Sequence, residues 1–206
     1  MAVTAPRIGV FGGAFDPPHN AHVALVEAAL AQLDLAELRI FPTGDAWHKQ
    51  RTLSAAGHRL AMAQLAFAGL ARTVVDARET LRAGPTYTLD TLRELQQEQP
   101  AAQLVLIMGA DQAASLPQWH GWEEILSIAI VSVAYRAGSA GSGGRFDPRI
   151  LPPLPSGARF ESLELAPMDT SATDIRTRAA RSVDISRLVP PAVARYIDQH
   201  HLYRSA

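Results

Sequence analysis

Residues 7–33 read RIGVFGGAFDPPHNAHVALVEAALAQL. The stretch begins with a short apolar run at Arg7–Phe11, turns at Gly12-Gly13 and continues at Val23–Leu33 as an Ala- and Leu-rich segment with helical periodicity. A strand, a glycine turn and a helix in this order form the first part of a βαβ unit, in which a helix joins two parallel strands. The stretch therefore predicts an α/β protein.

The rest of the chain repeats this alternation of strand and helix. Further short apolar runs predict strands at Leu38–Phe41, Thr73–Val75, Leu104–Met108, Ile128–Ala134 and Arg159–Leu165. Longer periodic segments predict helices at His58–Ala68, Leu89–Glu98, Trp122–Leu126, Thr173–Arg181 and from Pro190-Pro191 to about His200. We expect a Rossmann-like doubly wound parallel sheet with helices on both faces and a C-terminal helical extension. Residues 1–206 are expected to form one domain, whose helical end begins near residue 167.

Composition excludes several classes of protein. The 206 residues are 48% hydrophobic, which is enough for a globular core and excludes a disordered chain. The 19 basic and 20 acidic residues nearly cancel, so no global field attracts nucleic acid or an anionic membrane. Without cysteine there is no disulfide, thiolate nucleophile or cysteine zinc site. No apolar run is long enough for a secretion signal or a bilayer span, so we expect a cytoplasmic protein.

The predicted sheet indicates where a ligand binds. In an open parallel sheet, ligands lie beyond the carboxyl ends of the strands. The loops after Phe11, Phe41, Val75 and Met108 are therefore the expected site. The Gly- and Ser-rich segment at 137–144 is expected to be a mobile surface loop.

The loop after the first predicted strand carries the clearest chemistry. Gly12-Gly13 lets the backbone approach a ligand, and His19 and His22 lie one turn apart at the start of the next helix. Helix N-termini favour anions, and imidazoles there can bind phosphate oxygens. The alternatives from the residues alone are a plain turn with surface histidines, and a zinc site that would need at least a third ligand.

Other polar segments follow the later strands. They are the basic pair His48-Lys49, the segment with Thr86, Tyr87 and Thr88, the pair Gly109 and Asp111, the pair Trp119-His120, and the segment with Ser171, Thr173 and Arg176. Each also has a structural interpretation, as a solvated loop, a helix cap or a core aromatic. The last segment has capping-box spacing, and its hydroxyls, arginine and helix N-terminus could equally hold a polyphosphate.

These segments together resemble one family. GGAFDPPHNAH is similar to the G-G-x-F-D-P-x-H-x-G-H signature of the HxGH nucleotidyltransferases, with Ala21 in place of the usual Gly. GPTYTLDTL at 84–92, GAD at 109–111, LPQW at 116–119 and TSATDIR at 170–176 resemble, in the same order, segments of bacterial nicotinate-nucleotide adenylyltransferases. The ending from Leu188 to Tyr203 is similar to that family's C-terminal helix, so the resemblance covers nearly the whole chain.

The resemblance implies the transfer of AMP from ATP to nicotinate mononucleotide, with pyrophosphate as the second product. It implies catalytic roles for His19, His22, Lys49 and Arg176. It implies ATP binding by Gly12, Gly13, His19, His22, Gly109, Asp111, Ser171, Thr173, Ile175 and Arg176. It implies mononucleotide binding by Phe15, His48, Lys49, Thr86, Tyr87, Thr88, Trp119 and His120. Mg²⁺ is expected to arrive with ATP, no residue is assigned as a metal ligand, and the protein is expected to be a monomer or homodimer without nucleic-acid or membrane partners.

Three alternative functions remain open from the sequence. A sister transferase would act on nicotinamide mononucleotide, phosphopantetheine or a cytidylyl substrate, and turnover on the candidate substrates distinguishes these. A nucleotide-binding module without activity would release no pyrophosphate. A histidine metallohydrolase would carry stoichiometric zinc.

Overall fold

The computed structural model describes residues 5–44, 53–136 and 145–204. The described residues form one six-stranded sheet, in the order β3-β2-β1-β4-β5-β6. The strands are β1 Arg7–Gly13, β2 Glu37–Pro42, β3 Thr73–Val75, β4 Gln103–Gly109, β5 Ala129–Arg136 and β6 Phe160–Leu165. This is the strand order of a doubly wound nucleotide-binding fold, with the order reversing between β1 and β4. The predicted Rossmann-like sheet is confirmed.

Helices occupy the connections between the strands and the C-terminal part of the chain. They are α1 Asn20–Gln32, α2 Ala56–Phe67, α3 Arg78–Leu81, α4 Thr88–Glu98, α5 Ala110–Ser115, α6 Trp122–Ile128, α7 Ala172–Ala180 and α8 Pro191–Gln199. The predicted C-terminal helical extension is confirmed as α7 and α8, and Pro191 is the first residue of α8 as its fixed backbone angle favours. Along the described part of the chain, no helix is long and apolar enough to span a bilayer.

Two differences from the sequence prediction bear on the site. Helix α1 begins at Asn20, three residues before the predicted start, so His22 lies inside the helix and His19 just before it. The short helices α3 and α5 were not predicted because four or six residues are too few to show a helical period. The segment 137–144 lies outside the described residues, so its expected mobility stays a prediction.

Backbone contacts divide the chain into two compact units. The first unit consists of Met1–Gly12, Glu27–Arg39 and Tyr87–Pro167, and the second of Gly13–Val26, Ile40–Thr86 and Met168–Ala206.

The first unit is built around β4. All five residues of Leu104–Met108 are buried, as a strand covered on both faces requires. Strand β4 runs parallel to β1, with Val10 opposite Leu106, and parallel to β5, with Gly109 opposite Ala134. Parallel strands end at the same edge of a sheet, so the residues that follow β4 and β5 begin at one edge.

The second unit has its own apolar core, which packs the C-terminal helices against α2. Its buried members are Met62, Ile175, Ala179, Ile185, Val189, Val193 and Ile197. Burial of aliphatic side chains is the main favourable contribution to such packing. Ile175, one of the predicted ATP-site residues, is fully buried here, so its side chain fixes α7 in place.

Candidate active site

Two histidines of the second unit stack on each other at the start of α1. The rings of His19 and His22 have centroids 3.8 Å apart and are inclined by 24°. The backbone N–H of His19 donates to Nδ1 of His22 at 3.2 Å. Because Nδ1 of His22 accepts this bond, the neutral ring carries its proton on Nε2. Nε2 of His22 is therefore the ring atom that can donate to a phosphate oxygen.

The ring of His19 is almost completely buried, with 7% of the residue exposed. Burial lowers the pKa of His19 to about 4, because an imidazolium loses its hydration there. Its Nδ1 is buried and has no hydrogen-bond partner among the described residues. His19 is thus neutral at pH 7 in the ligand-free protein, and a nearby polyanion would raise its pKa.

Phe15 packs against His22, one member of the histidine pair. Its ring is buried and meets the ring of His22 edge-on at 5.2 Å, and on another side the ring of Phe67 at 5.8 Å. A Cβ on Gly13 would lie 3.1 to 3.3 Å from the Phe15 ring, so glycine allows the close approach of backbone and ring. The structure places Phe15 where it positions His22, and its predicted contact with the mononucleotide remains a prediction.

The N-terminus of α7 brings together the predicted hydroxyls and arginine. Ser171 caps the helix by accepting from the N–H of Asp174 at 3.2 Å, as predicted from the capping-box spacing. Arg176 donates from Nη2 to Oγ1 of Thr173 at 3.0 Å. From Nη1 it donates to the backbone carbonyl of Asp16 at 2.9 Å, which joins α7 to the loop of the histidine pair.

Asp16 connects this loop to two other segments of the second unit. Its carboxylate is 2% exposed and accepts from the Tyr203 hydroxyl at 2.7 Å and from the Ser54 N–H at 3.2 Å. Burial, together with the negative charge of Asp16, raises the pKa of Tyr203 above its usual value. The hydroxyl therefore stays protonated and remains a donor to the carboxylate.

In the first unit, Gly109 and Asp111 lie where β4 ends and α5 begins. Gly109 precedes the first helical residue, and Asp111 lies in the first turn of α5 with its side chain exposed. Asp111 does not cap the helix, so the capping alternative considered for it is wrong.

The first unit also brings together two segments whose contacting residues, Tyr87 and His120, are 33 positions apart in sequence. The rings of Tyr87 and His120 lie 4.5 Å apart, next to Thr88, the first residue of α4. Gly121 has φ +64°, and a Cβ there would collide with Cδ2 of Leu89. Trp119, two residues before Gly121, is partly exposed. Tyr87, Thr88, Trp119 and His120, four of the predicted mononucleotide-binding residues, thus form one corner of the first unit.

Comparison with known proteins gives the family. The model of the cytidylyltransferase-like family matches residues 10–178. A "Probable nicotinate-nucleotide adenylyltransferase" of Albidiferax ferrireducens is 58% identical over 200 residues, covering 97% of this chain and 99% of the relative. A protein of the same name from Methylibium petroleiphilum is 43% identical over 204 residues, covering 96% and 92%. The chain belongs to the nicotinate-nucleotide adenylyltransferase family.

A solved structure confirms the fold of this family. The chain matches the Plasmodium falciparum nicotinic acid mononucleotide adenylyltransferase complexed with APC, with a TM-score of 0.76 and 18% sequence identity. The match covers 96% of this chain and 97% of that chain. The six-stranded α/β architecture is therefore the one found in an adenylyltransferase of known structure.

Some predicted site residues of this chain are not tested by the structure. His48 and Lys49 lie outside the described residues, so their predicted phosphate contacts stay predictions. Thr86 belongs to the second unit, and its Oγ1 is buried without a hydrogen-bond partner among the described residues. Neither Thr86 nor Thr88 caps α4, because Tyr87 holds the cap position and makes no side-chain cap bond. Ala21, which replaces the usual Gly, lies in the first turn of α1 and is partly buried.

Two residues, Asp16 and Arg59, hold the loop after β1 in place, and the sequence motifs do not indicate this role. The carboxylate of Asp16 is bound by Tyr203, 187 positions away, and no local sequence pattern indicates that bond. Arg59 is 2% exposed, and the sequence motifs do not include it. A charged residue at a position of the apolar helical stripe was the available signal, since arginine is almost never fully buried unless its donors are satisfied.

Within residues 5–44, 53–136 and 145–204, no three histidine or carboxylate side chains come together as metal ligands would. Mg²⁺ prefers oxygen ligands, keeps several waters and commonly binds through substrate phosphates with few protein ligands. The Mg²⁺ ion that is expected to arrive with ATP therefore stays a prediction.

Proposed function

We propose that the chain transfers the AMP group of ATP to nicotinate mononucleotide, forming nicotinic acid adenine dinucleotide and pyrophosphate in NAD biosynthesis. The observation that carries this function is the similarity of almost the whole chain to nicotinate-nucleotide adenylyltransferases. The stacked imidazoles at the start of α1 add to it, because they lie where a doubly wound sheet binds phosphates. The proposal treats residues 1–206 as one nucleotidyltransferase domain, active in the cytoplasm as a monomer or homodimer.

The attacking group needs no activation by the protein. The phosphate of the mononucleotide is already an anion, and its oxygen attacks the α-phosphorus of ATP in line. One P–O bond forms to the α-phosphorus, the bond to the β-phosphate oxygen breaks, and pyrophosphate leaves. The protein has to hold two polyanions in line and stabilise the charge that develops on the α-phosphoryl group and pyrophosphate.

His22 and His19 are assigned to the α-phosphoryl group. His22 Nε2 carries a proton because Nδ1 is occupied by the His19 N–H. His19 is neutral before binding, and the charge of the polyphosphate would raise its pKa and favour the imidazolium. An imidazole whose charge appears only when the substrate is bound stabilises the transition state without carrying a buried charge in the free enzyme.

Arg176, Ser171 and Thr173 are assigned to the leaving pyrophosphate. The guanidinium has donors in a fixed fork, which suits phosphate oxygens. Arg176 is held by the Asp16 carbonyl and the Thr173 hydroxyl before binding, so little conformational entropy remains to be lost. The N–H groups at the start of α7 add the dipole of a helix N-terminus. Gly12, Gly13, Gly109 and Asp111 are assigned to the rest of ATP.

The mononucleotide is assigned to the corner of Tyr87, Thr88, Trp119 and His120, with its phosphate on His48 and Lys49. A half-exposed aromatic group offers a flat face on which a pyridine ring can stack. Mg²⁺, bound to the ATP phosphates, would supply positive charge to the developing pyrophosphate.

The test is pyrophosphate release from ATP and Mg²⁺, measured in parallel with nicotinate mononucleotide, nicotinamide mononucleotide and phosphopantetheine. We expect the highest kcat/KM with nicotinate mononucleotide. Preference for another acceptor would assign the chain to a sister transferase. Binding of ATP without release of pyrophosphate from any acceptor would leave a nucleotide-binding protein and would contradict the proposed reaction.

A further inference from the structure

Arg59 of α2 is one of the largest fully buried side chains of the described protein. A buried guanidinium is costly unless its donors are hydrogen-bonded. Arg59 donates to four backbone carbonyls, those of Ala14, Thr43, Gly44 and Ser54, over donor–acceptor distances of 2.5 to 3.1 Å. A side chain that binds four backbone carbonyls restricts the movement of the backbone at those four residues. Their positions in the sequence show which segments Arg59 holds.

The four carbonyls belong to segments with predicted phosphate contacts. Ala14 lies in the loop that leads to the histidine pair. Thr43 and Gly44 immediately precede residues 45–52, which contain Lys49, and Ser54 follows them closely. One guanidinium therefore binds the described chain on both sides of the Lys49 segment and, at the same time, the loop after β1.

The arrangement leaves little freedom at these points. A Cβ on Gly44 would collide with the backbone carbonyl oxygen of Glu79, so the chain before residue 45 is also closely packed from the other side. The N–H of Ser54 donates to the carboxylate of Asp16 while its carbonyl accepts from Nε of Arg59. Ser54 is thus held by two buried groups, one through its N–H and one through its carbonyl.

We infer that Arg59 is a positioning residue for substrate phosphate. Its hydrogen bonds fix the position of the loop after β1 relative to the two described flanks of residues 45–52, which contain Lys49. Arg59 itself touches no substrate in this proposal. The inference rests on the proposed function for the role of Lys49. Arginine is required because its planar guanidinium carries donors on three nitrogens and reaches several carbonyls at once. The ammonium group of lysine carries all its donors on one nitrogen.

The first test is the kinetics of Arg59→Lys, which keeps the charge and loses the fork. We expect kcat/KM for nicotinate mononucleotide to fall about 10- to 100-fold, with a smaller change in the KM for ATP, because misplacing a binding group by about 1 Å has effects of this size. Arg59→Met is the second variant and should show a larger loss where it folds.

A matched control separates positioning from general loss of stability. Val193→Ala truncates a fully buried side chain in the core of the same unit and touches none of the four carbonyls. The temperature of each assay is set the same distance below the Tm of the variant. The inference would be overturned if Arg59→Lys changed the KM for nicotinate mononucleotide and the KM for ATP by the same factors as Val193→Ala does.

Limited trypsin digestion provides a readout that does not depend on turnover. Lys49 and Arg51 are cleavage points inside residues 45–52. We expect Arg59→Lys to speed cleavage there relative to wild type and Val193→Ala, because the flanks are no longer held. Unchanged cleavage would contradict the inference. If the wild type releases no pyrophosphate with any acceptor, the proposed function fails, and the digestion still decides the role of Arg59 in holding these flanks.

Discussion

His22 of the second unit and His120 of the first are both predicted substrate contacts, but they are held in different ways. His22 is fixed by a backbone hydrogen bond, by stacking on His19 and by a T-shaped contact with the buried ring of Phe15. His120 is exposed, and its ring contacts the ring of Tyr87. The next residue, Gly121, has a positive φ of +64° that sets the direction of the chain there. The groups assigned to phosphoryl transfer are thus set by hydrogen bonds and burial, and those assigned to ring recognition by packing.

This difference has a chemical reason. Stabilising a transition state requires donors fixed to within a fraction of an ångström, and hydrogen bonds in a buried setting provide that precision. Recognition of a flat ring tolerates more movement, because burial of its apolar faces is non-directional and roughly proportional to the area covered. Changes in the two regions should therefore affect different kinetic parameters.

The largest effect is expected for His22→Ala. Loss of the Nε2 donor should lower kcat by about 10²- to 10³-fold, as for single donors in other sites that stabilise developing negative charge. Pyrophosphate release at saturating substrates measures it, with His201→Asn as the control because His201 is exposed and asparagine tolerates its positive φ. Near-normal turnover of His22→Ala would remove this residue from the mechanism.

The second effect concerns the buried imidazole of His19. The unfolded chain takes up this proton near pH 6.5, whereas the folded protein takes it up only near pH 4. Between these values the unfolded state binds more protons, so the free energy of unfolding falls as the pH falls. The contribution of His19 to this loss is about 3 kcal/mol by pH 4.

Urea unfolding of the wild type and of His19→Asn from pH 8 to pH 4.5 measures this contribution. The variant should lose less stability across that range than the wild type, whatever its stability at pH 8. Parallel curves for the two proteins would show that the ring is not buried in neutral form.

The smallest effect is expected in the ring-binding corner. Gly121→Ala meets both a positive φ and Leu89, whereas Gly157→Ala meets a φ of +86° in open space. Both variants should lose about 1 kcal/mol for the backbone conformation, and only Gly121→Ala should also raise the KM for nicotinate mononucleotide, with kcat little changed. Equal KM values for nicotinate mononucleotide in the two variants would contradict a role of this corner in binding the pyridine ring.

The sheet could be predicted from sequence because its strands are nearly uniform apolar runs. Leu104–Met108 is buried throughout, and all six predicted strands exist. The positions of His19, Ser171 and Arg176 were likewise indicated by their place between a strand and a helix, or at a helix start. Periodicity and capping chemistry act over a few residues, so they can be read from one segment at a time.

The support of the site could not be predicted in this way. The bonds of Asp16 to Tyr203 and of Arg59 to Ala14 join residues far apart in sequence, and no local pattern encodes them. The lowered pKa of His19 depends on what surrounds the ring in three dimensions. The burial that keeps His19 neutral and the long-range hydrogen bonds that position the loop become visible only in the structure.

The hydroxyl of Tyr203 also has a consequence for the making of the protein. Its bond to Asp16 spans 187 positions, so a growing chain can form most of the sheet well before this contact exists. Until residue 203 has been synthesised, the Asp16 carboxylate lacks one of its donors, and burial of the charge is less favourable. A chain terminated before Tyr203 would keep the apolar pattern of the strands and lose one anchor of the loop assigned to phosphate. Completion of the binding loop is in this way coupled to synthesis of the chain as far as Tyr203.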